Sequence, residues 1–412
     1  MADLIITIYR ILGNILIWPV ALVLSRHPNF RSTILQRLGI KLPASPVGRE
    51  VIWIHAASVG EVKVAAGLIK AIKTSRPELL VCLSCVTATG RDVALRISEI
   101  DMVLPFPFDL AWVMKRYLLR VHPRVLLIVE TELWPNMILM AERLGIPVVF
   151  VNARMTSRSY HRFDKARVVI SKVLNNVTVF AMAQSDGKHF TDLGAGFVEV
   201  LGNLKLDNVG DVDPKRRNEL RKGLRVDKRP VFIAGSIRKG EEADVMDAIA
   251  YAASQIKGLY SIVAPRHPEM LPALQDTAER KALKWGLRSA MPEDADVVFV
   301  DTFGELFNLY GAADAAFVGG SLKDLGGQNI LEPISWGVPT IHGPYMDNFS
   351  WALDIVGDFT VKVRNAAELG HAITKIMKQG DEYVSLARNA QKALYGSRGV
   401  MARYINALGQ FI

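Results

Sequence analysis

Acids and cations placed just after apolar runs are what could do chemistry in this 412-residue sequence. Glu61 ends His55-Ala56-Ala57-Ser58-Val59-Gly60-Glu61, where an apolar run gives way to the helical spacing of Val64, Leu68 and Ile72. A carboxylate at that position has two readings. It is either a partner for the positive end of a helix dipole, or a general base kept ionised by that same helix end, which lowers a carboxylate pKa. In Val129-Glu130-Thr131-Glu132-Leu133-Trp134-Pro135-Asn136 two acids stand where another apolar run ends. Capping preference assigns Glu132 to the helix beginning near Trp134 or Pro135 and leaves Glu130 to the site. Lys205, in Leu201-Gly202-Asn203-Leu204-Lys205-Leu206-Asp207, is either an ordinary exposed lysine or a cation that steadies a departing phosphate.

The second half of the chain repeats the arrangement. Arg266 and His267 sit between Pro265 and Pro268 at the end of an apolar run; an arginine there can grip phosphate with paired donors, and a histidine can bond a base, a ribose or its own loop. Gly235 and Ser236 open a loop carrying Glu241 and Glu242, and Thr302-Phe303-Gly304-Glu305 follows the next apolar run in the same way. From Phe317 to Pro344 the chain reads as a strand, a turn at Gly319 and Gly320, a short helix entry and a second strand. Gly326 and Gly327 suit a close backbone approach to a ligand. Asn329 and Glu332 have capping-box spacing, and Pro333 falls in the first turn, where amides lack partners. Such amides attract phosphate, so this stretch is either a strand-to-helix link or a phosphate cradle.

The elements that position these residues follow from periodicity. Short β-branched strands at 51–56, 79–86, 102–107, 124–130, 148–153, 179–183 and 198–202 alternate with amphipathic segments such as 61–73 and 134–145. A second series occupies 231–236, 260–265, 297–301, 315–320, 339–343 and 360–363. This alternation predicts an α/β chain of two Rossmann-like, doubly wound parallel sheets, with the site at the strands' C-terminal ends in a cleft between domains. The expected divisions are 1–45, an anchor and basic segment; 46–206, the first domain; 207–229, a linker with Asp211, Asp213 and Pro214; 230–395, the second domain; and 396–412, a terminal helix packing back on the first domain.

Composition narrows the function. A formal charge of +9 and a pI near 9.4 favour anionic partners, but Lys and Arg are dispersed and no aromatic and basic nucleic-acid module is present. Anionic lipid or a phosphorylated substrate fits better than nucleic acid. The two cysteines, Cys82 and Cys85, lie inside an apolar strand where residues three apart face opposite sides, which predicts core packing rather than a redox or zinc pair. No metal-ligand spacing, no Walker loop and no Gly-x-Gly-x-x-Gly after the first strand is readable, which disfavours metal, NTPase and dinucleotide chemistry. Residues 4–24 are mostly apolar, with Arg10 as their only charge, and are followed by Arg26, Arg31, Arg37 and Lys41. That run predicts a membrane attachment with the rest of the chain on the cytoplasmic side. Arg10 and Pro19 leave open whether it spans the bilayer or lies in its interface.

Taken together, Ser58-Val59-Gly60-Glu61, Glu130-Thr131-Glu132-Leu133-Trp134-Pro135-Asn136, Gly202-Asn203-Leu204-Lys205, Pro265-Arg266-His267-Pro268 and Gly319-Gly320-Ser321 with Asn329-Ile330-Leu331-Glu332 resemble the bacterial Kdo (3-deoxy-D-manno-octulosonic acid) transferases nearly end to end. The resemblance implies the two-domain glycosyltransferase-B fold. It also implies inverting, metal-independent and cofactor-free transfer of Kdo from CMP-Kdo to a lipid A precursor at the inner membrane. Glu61 would take the acceptor proton, with Glu130 and Lys205 supporting the transition state. Ser236, Arg266, His267, Phe303, Gly304, Glu305, Gly320, Ser321, Asn329, Ile330, Leu331 and Glu332 would hold CMP-Kdo. CMP is a good leaving group, which offsets a weak base. The chain departs from many relatives at Ser236-Ile237-Arg238-Lys239-Gly240-Glu241-Glu242, where they carry Ser-Thr-His-x-Gly-Glu-Glu; either Arg238 and Lys239 supply the phosphate attraction or the loop has shifted. Two other readings compete. One is a glycosyltransferase-B enzyme using a UDP-sugar, or a sugar-nucleotide epimerase; the other is a non-catalytic nucleotide-binding protein at the membrane.

Overall fold

Uninterrupted apolar runs make strands buried on both faces, and the structure places them at the centres of two sheets. The computed structural model describes every residue except 47, 209–211, 214, 291 and 293. Asp211 and Pro214 of the expected linker therefore lie outside the described residues. The first sheet contains β1 (Val51–His55), β2 (Leu80–Cys85), β3 (Met102–Pro105), β4 (Pro123–Val129), β5 (Val148–Ala153), β6 (Val177–Ala181) and β7 (Phe197–Val200). Their order is β3-β2-β1-β4-β5-β6-β7. The second sheet contains β8 (Val231–Ile237), β9 (Tyr260–Pro265), β10 (Trp285–Leu287), β11 (Val297–Phe299), β12 (Ala315–Val318), β13 (Thr340–His342) and β14 (Val361–Lys362). Its order is β10-β11-β9-β8-β12-β13-β14. Neighbours in both sheets are parallel. Cys82 and Cys85 are free thiols buried in β2.

One strand escaped the sequence reading. β10 has three half-buried residues at a sheet edge, with Gly286 in the middle, too few to show a period.

The chain forms two compact units: Met1–Asp207 with Gly399–Ile412, and Asn208–Arg398. In the first, Asp207 accepts the backbone N–H groups of Gly399 (2.8 Å), Val400 (3.2 Å) and Met401 (2.6 Å). These are orphan donors at the start of the last helix, Val400–Leu408.

The N-terminal helix, Ala2–Leu24, belongs to the same unit. It buries a stripe of Ile6, Ile17 and Ala21 and leaves Leu4, Ile8, Leu12, Ile15, Trp18 and Leu22 exposed. Arg10, its one basic residue, points into the unit and donates from Nε to Asn136 Oδ1 at 2.8 Å. The Tyr9 hydroxyl donates to Asp109 Oδ2 at 3.0 Å. Arg37, grouped above with the basic residues after the helix, is instead buried, donating to the carbonyls of Phe106 (2.9 Å) and Val86 (2.7 Å). It is a structural cation; Arg26, Arg31 and Lys41 are exposed.

Candidate active site

In the first unit the strand order reverses between β1 and β4, which pair in parallel with His55 opposite Ile128. Residues 56–61 and 129–132 therefore leave the sheet side by side, where open α/β sheets take their ligands. The helix after β1, Val59–Ser75, is capped by Ser58, whose Oγ accepts the Glu61 N–H. Glu61 reaches back in return: Oε2 accepts the Ala57 N–H at 2.6 Å and Oε1 accepts from the Ser58 hydroxyl at 3.0 Å. This is a variant of the capping box, reaching the N–H one residue before the cap, and it fixes the carboxylate in one orientation. The expectation that the helix end would lower its pKa is corrected. Burial outweighs these hydrogen bonds and pushes Glu61 up, with Glu130 adding repulsion.

Glu132 does not take the capping role assigned to it from sequence. The helix Pro135–Arg143 receives no bond from Glu132. Asp109 caps it instead, accepting the N–H groups of Asn136 (3.0 Å) and Met137 (2.8 Å). Glu132, half-buried, is pushed up to about 7, first by burial and then by the charge of Glu61; the Trp134 indole opposes the shift without meeting hydrogen-bond geometry. Glu130 adopts a left-handed backbone at φ 58°, which costs a non-glycine residue about 1–3 kcal/mol and tends to occur at functional sites.

Lys205 is placed by two asparagines. Asn152, in a bulge of β5 at φ 55°, accepts the Leu204 N–H at 2.9 Å, and Asn203 Oδ1 accepts the Lys205 N–H at 2.9 Å. The Asn152 N–H in turn donates to the Tyr404 hydroxyl at 3.0 Å. The result is a loose ion pair, Lys205 Nζ to Glu130 Oε1 at 3.9 Å. Sequence reading did not single out Asp109, Asn152 or Tyr404, because their partners are distant in the chain.

In the second unit, Ser236, Arg266, Asp301, Thr302, Phe303 and Gly304 line a cavity of about 140 Å³ at the C-terminal ends of β8, β9 and β11. Typical ligand pockets run to about 300 Å³ or more, so this one would enclose only part of such a ligand. Phe303 is 84% exposed at its rim, where an aromatic face is available for stacking. Glu305 is engaged within the unit, accepting from the Thr302 hydroxyl of its own loop and pairing at 3.3 Å with Arg288 of another. His267 is exposed and outside the cavity lining. A larger cavity, about 600 Å³, lies at the opposite strand ends among Arg217, Asp314, Trp336 and Arg388; no expected site residue lines it.

The geometry of the Phe317–Pro344 stretch bears on three expectations. First, the amides of Gly320, Ser321 and Leu322 are already taken by the Glu241 carboxylate, so they are not free for an external phosphate. Second, Gly326 and Gly327 are needed for close approach to the chain itself: a Cβ on either would fall 2.4 Å from Asn348 or 2.3 Å from Met346. Third, Asn329 and Glu332 do not form a reciprocal capping box. Asn329 Oδ1 accepts the Leu331 N–H at 3.2 Å, and its side-chain amide donates to Glu332 Oε1 at 2.9 Å. Ile330 and Leu331 are buried beside this pair. Burial pushes the Glu332 carboxyl up, against the Asn329 bond and the charge of Arg266.

Residues 32–208 match the family described as 3-Deoxy-D-manno-octulosonic-acid transferase (kdotransferase). The chain is 29% identical over 405 residues to the 3-deoxy-D-manno-octulosonic acid transferase of Haemophilus influenzae, covering 95% of this chain and 94% of that one. It is 32% identical to the enzyme of the same name from Bordetella pertussis, covering 76% and 75%. Among solved structures, Anabaena HepE in complex with UDP superposes with a TM-score of 0.62 at 15% identity, covering 88% of this chain and all, 100%, of the other. That likeness shows the shared glycosyltransferase-B fold.

Proposed function

The chain belongs to the 3-deoxy-D-manno-octulosonic-acid transferase family, and we propose that it moves Kdo from CMP-Kdo to a lipid A precursor with inversion, using Glu61 as general base. The observation that carries this reading is the fixed Glu61 carboxylate at the β1–β4 switch point, raised in pKa by burial. A base whose pKa is raised toward the working pH accepts a hydroxyl proton better than one depressed by a helix end alone. As the acceptor oxygen bonds the anomeric carbon, the bond from that carbon to the CMP phosphate oxygen breaks; the hydroxyl proton passes to Glu61 and the electron pair leaves with CMP. Lys205 beside Glu130 supplies positive charge on the first unit, and Arg266 supplies it on the second. Ser236, Phe303 and Gly304 would hold part of CMP, and the Glu332 oxygen not bonded to Asn329 would accept from a ribose hydroxyl.

The Ala2–Leu24 helix is read as a surface anchor at the cytoplasmic face of the inner membrane. Its docked stripe runs from Ile6 to Ala21, ~22 Å at ~1.5 Å per residue. A helix spanning the ~30 Å core would drag Asp109 and Asn136, which hold Tyr9 and Arg10, into hydrocarbon. Lying flat leaves the apolar outer face to lipid and the exposed Arg26, Arg31 and Lys41 to anionic headgroups.

Mass spectrometry of products from CMP-Kdo and lipid A precursor tests the reaction, and calorimetry with CMP against UDP tests the donor. Absence of a Kdo-bearing product, or preference for UDP, sinks the reading. Labelling an Asp3→Cys variant from outside spheroplasts tests the anchor: reaction there would mean that the helix spans.

A further inference from the structure

Glu241 is fully buried, takes no part in the chemistry above, and yet gathers four backbone donors. Oε2 accepts the N–H groups of Gly320 at 2.6 Å and Arg238 at 3.0 Å, and Oε1 accepts those of Ser321 and Leu322, both at 2.9 Å. Three consecutive amides converging on one anion form a nest, with Gly320 in the left-handed conformation at φ 68°. Only the Arg238 bond is local; the other three reach residues 79–81 positions away, and the Glu241 side chain makes no cap bond to its own helix, Glu242–Gln255.

The loop that Glu241 holds carries further bonds. Gly320 and Gly319 accept the N–H groups of Gly327 (2.8 Å) and Gln328 (3.0 Å), and Ser321 Oγ accepts that of Gly343 at 2.8 Å. Gln328 immediately precedes the Asn329–Glu332 pair. Gly319 packs against the end of β8, where an added Cβ would lie 2.5 Å from the Ser236 carbonyl oxygen.

We infer that Glu241 is a built-in anion that fills the amide nest after β12, and so sets the positions of the Gly319–Ser321 loop and the Asn329–Glu332 pair for the donor nucleotide. It is a positioning residue, and its effect on the donor rests on reading this unit as the CMP-binding one. The donor's own phosphate must then be met by side chains such as Arg266, since the nest is occupied.

Glu241→Gln turns one acceptor oxygen into a donor facing amide N–H groups. Loss of charge-assisted bonds predicts CMP affinity lower by about 10- to 100-fold, with the KM for the lipid acceptor unchanged and kcat at saturating donor nearly so. Glu241→Ala empties the nest, and formate should refill it and restore CMP affinity in part. Hydrogen exchange reads the nest without nucleotide: amides 320–322 should lose protection in Glu241→Ala and regain it with formate. Unchanged protection in both variants, or a folded Glu241→Ala protein on which formate has no effect, overturns the proposal. Wild-type protein that binds no CMP but shows the exchange pattern would overturn the donor assignment and leave the nest standing. Should Glu241→Ala fail to fold, affinity and exchange in Glu241→Gln decide.

Discussion

Asp109 Oδ2 accepts the backbone N–H of Asn136 at 3.0 Å, so the helix Pro135–Arg143 is capped from a loop 27 residues earlier. The same oxygen receives the Tyr9 hydroxyl. One carboxylate therefore ends a helix, docks the N-terminal helix and releases Glu132 from the capping role that its place in the sequence suggested.

Asp109→Ala should lower stability by about 1–2 kcal/mol, the usual cost of a lost cap, and weaken the docking of Tyr9. Chemical denaturation checks this. An unchanged midpoint would mean that water replaces the cap at no cost.

Glu61 and Glu332 should separate chemistry from donor binding. Glu61→Gln keeps an oxygen for the capping bonds but removes the proposed base, and should cut turnover by about 10²-fold or more with CMP affinity little changed. Glu332→Ala should weaken CMP binding by roughly tenfold, about one lost hydrogen bond to a charged group. Single-turnover rates and calorimetry distinguish the two; the reverse pattern would exchange their roles.

The Glu132 carboxyl rises from 4.5 to about 7 in the folded protein, chiefly through burial. The folded state thus binds this proton more tightly than the unfolded chain, and the resulting stabilisation is complete below about pH 4.5 and lost as pH rises through about 7. Between those values wild type should lose stability relative to Glu132→Gln. Thermal midpoints of both proteins measured across that range check the slope, and parallel curves would show an unperturbed carboxyl.

Tyr404→Phe removes the oxygen that accepts the Asn152 N–H. Leaving that buried donor unpaired should cost about 1–3 kcal/mol. Asn152 also holds the Leu204 N–H, so turnover should fall severalfold as Lys205 shifts. A stability loss with full turnover would show that the Tyr404 brace does not position Lys205.

Much of this was legible along the chain because it is encoded in short-range periodicity. Uninterrupted apolar runs such as Val51–His55 determined parallel strands buried on both faces, and residues just past them, Glu61, Glu130 and Arg266, had to sit at strand ends. β10 was missed because three edge residues carry no period.

The sequence by itself determined the two α/β sheets, the apolar N-terminal helix and the acids and cations at the strand ends. Tertiary structure decided which of those acids are spent. Asp109, Glu241 and Asp207 are consumed by amides 27, 79 and 192 residues away, pairings that no local spacing announces. It also decided the direction in which these carboxyl pKa values move, since burial, set by segments folding over Glu61 and Glu132, outweighs the helix end and hydrogen bonds that a sequence reading can anticipate. A backbone donor goes to whichever carboxylate the fold brings within reach.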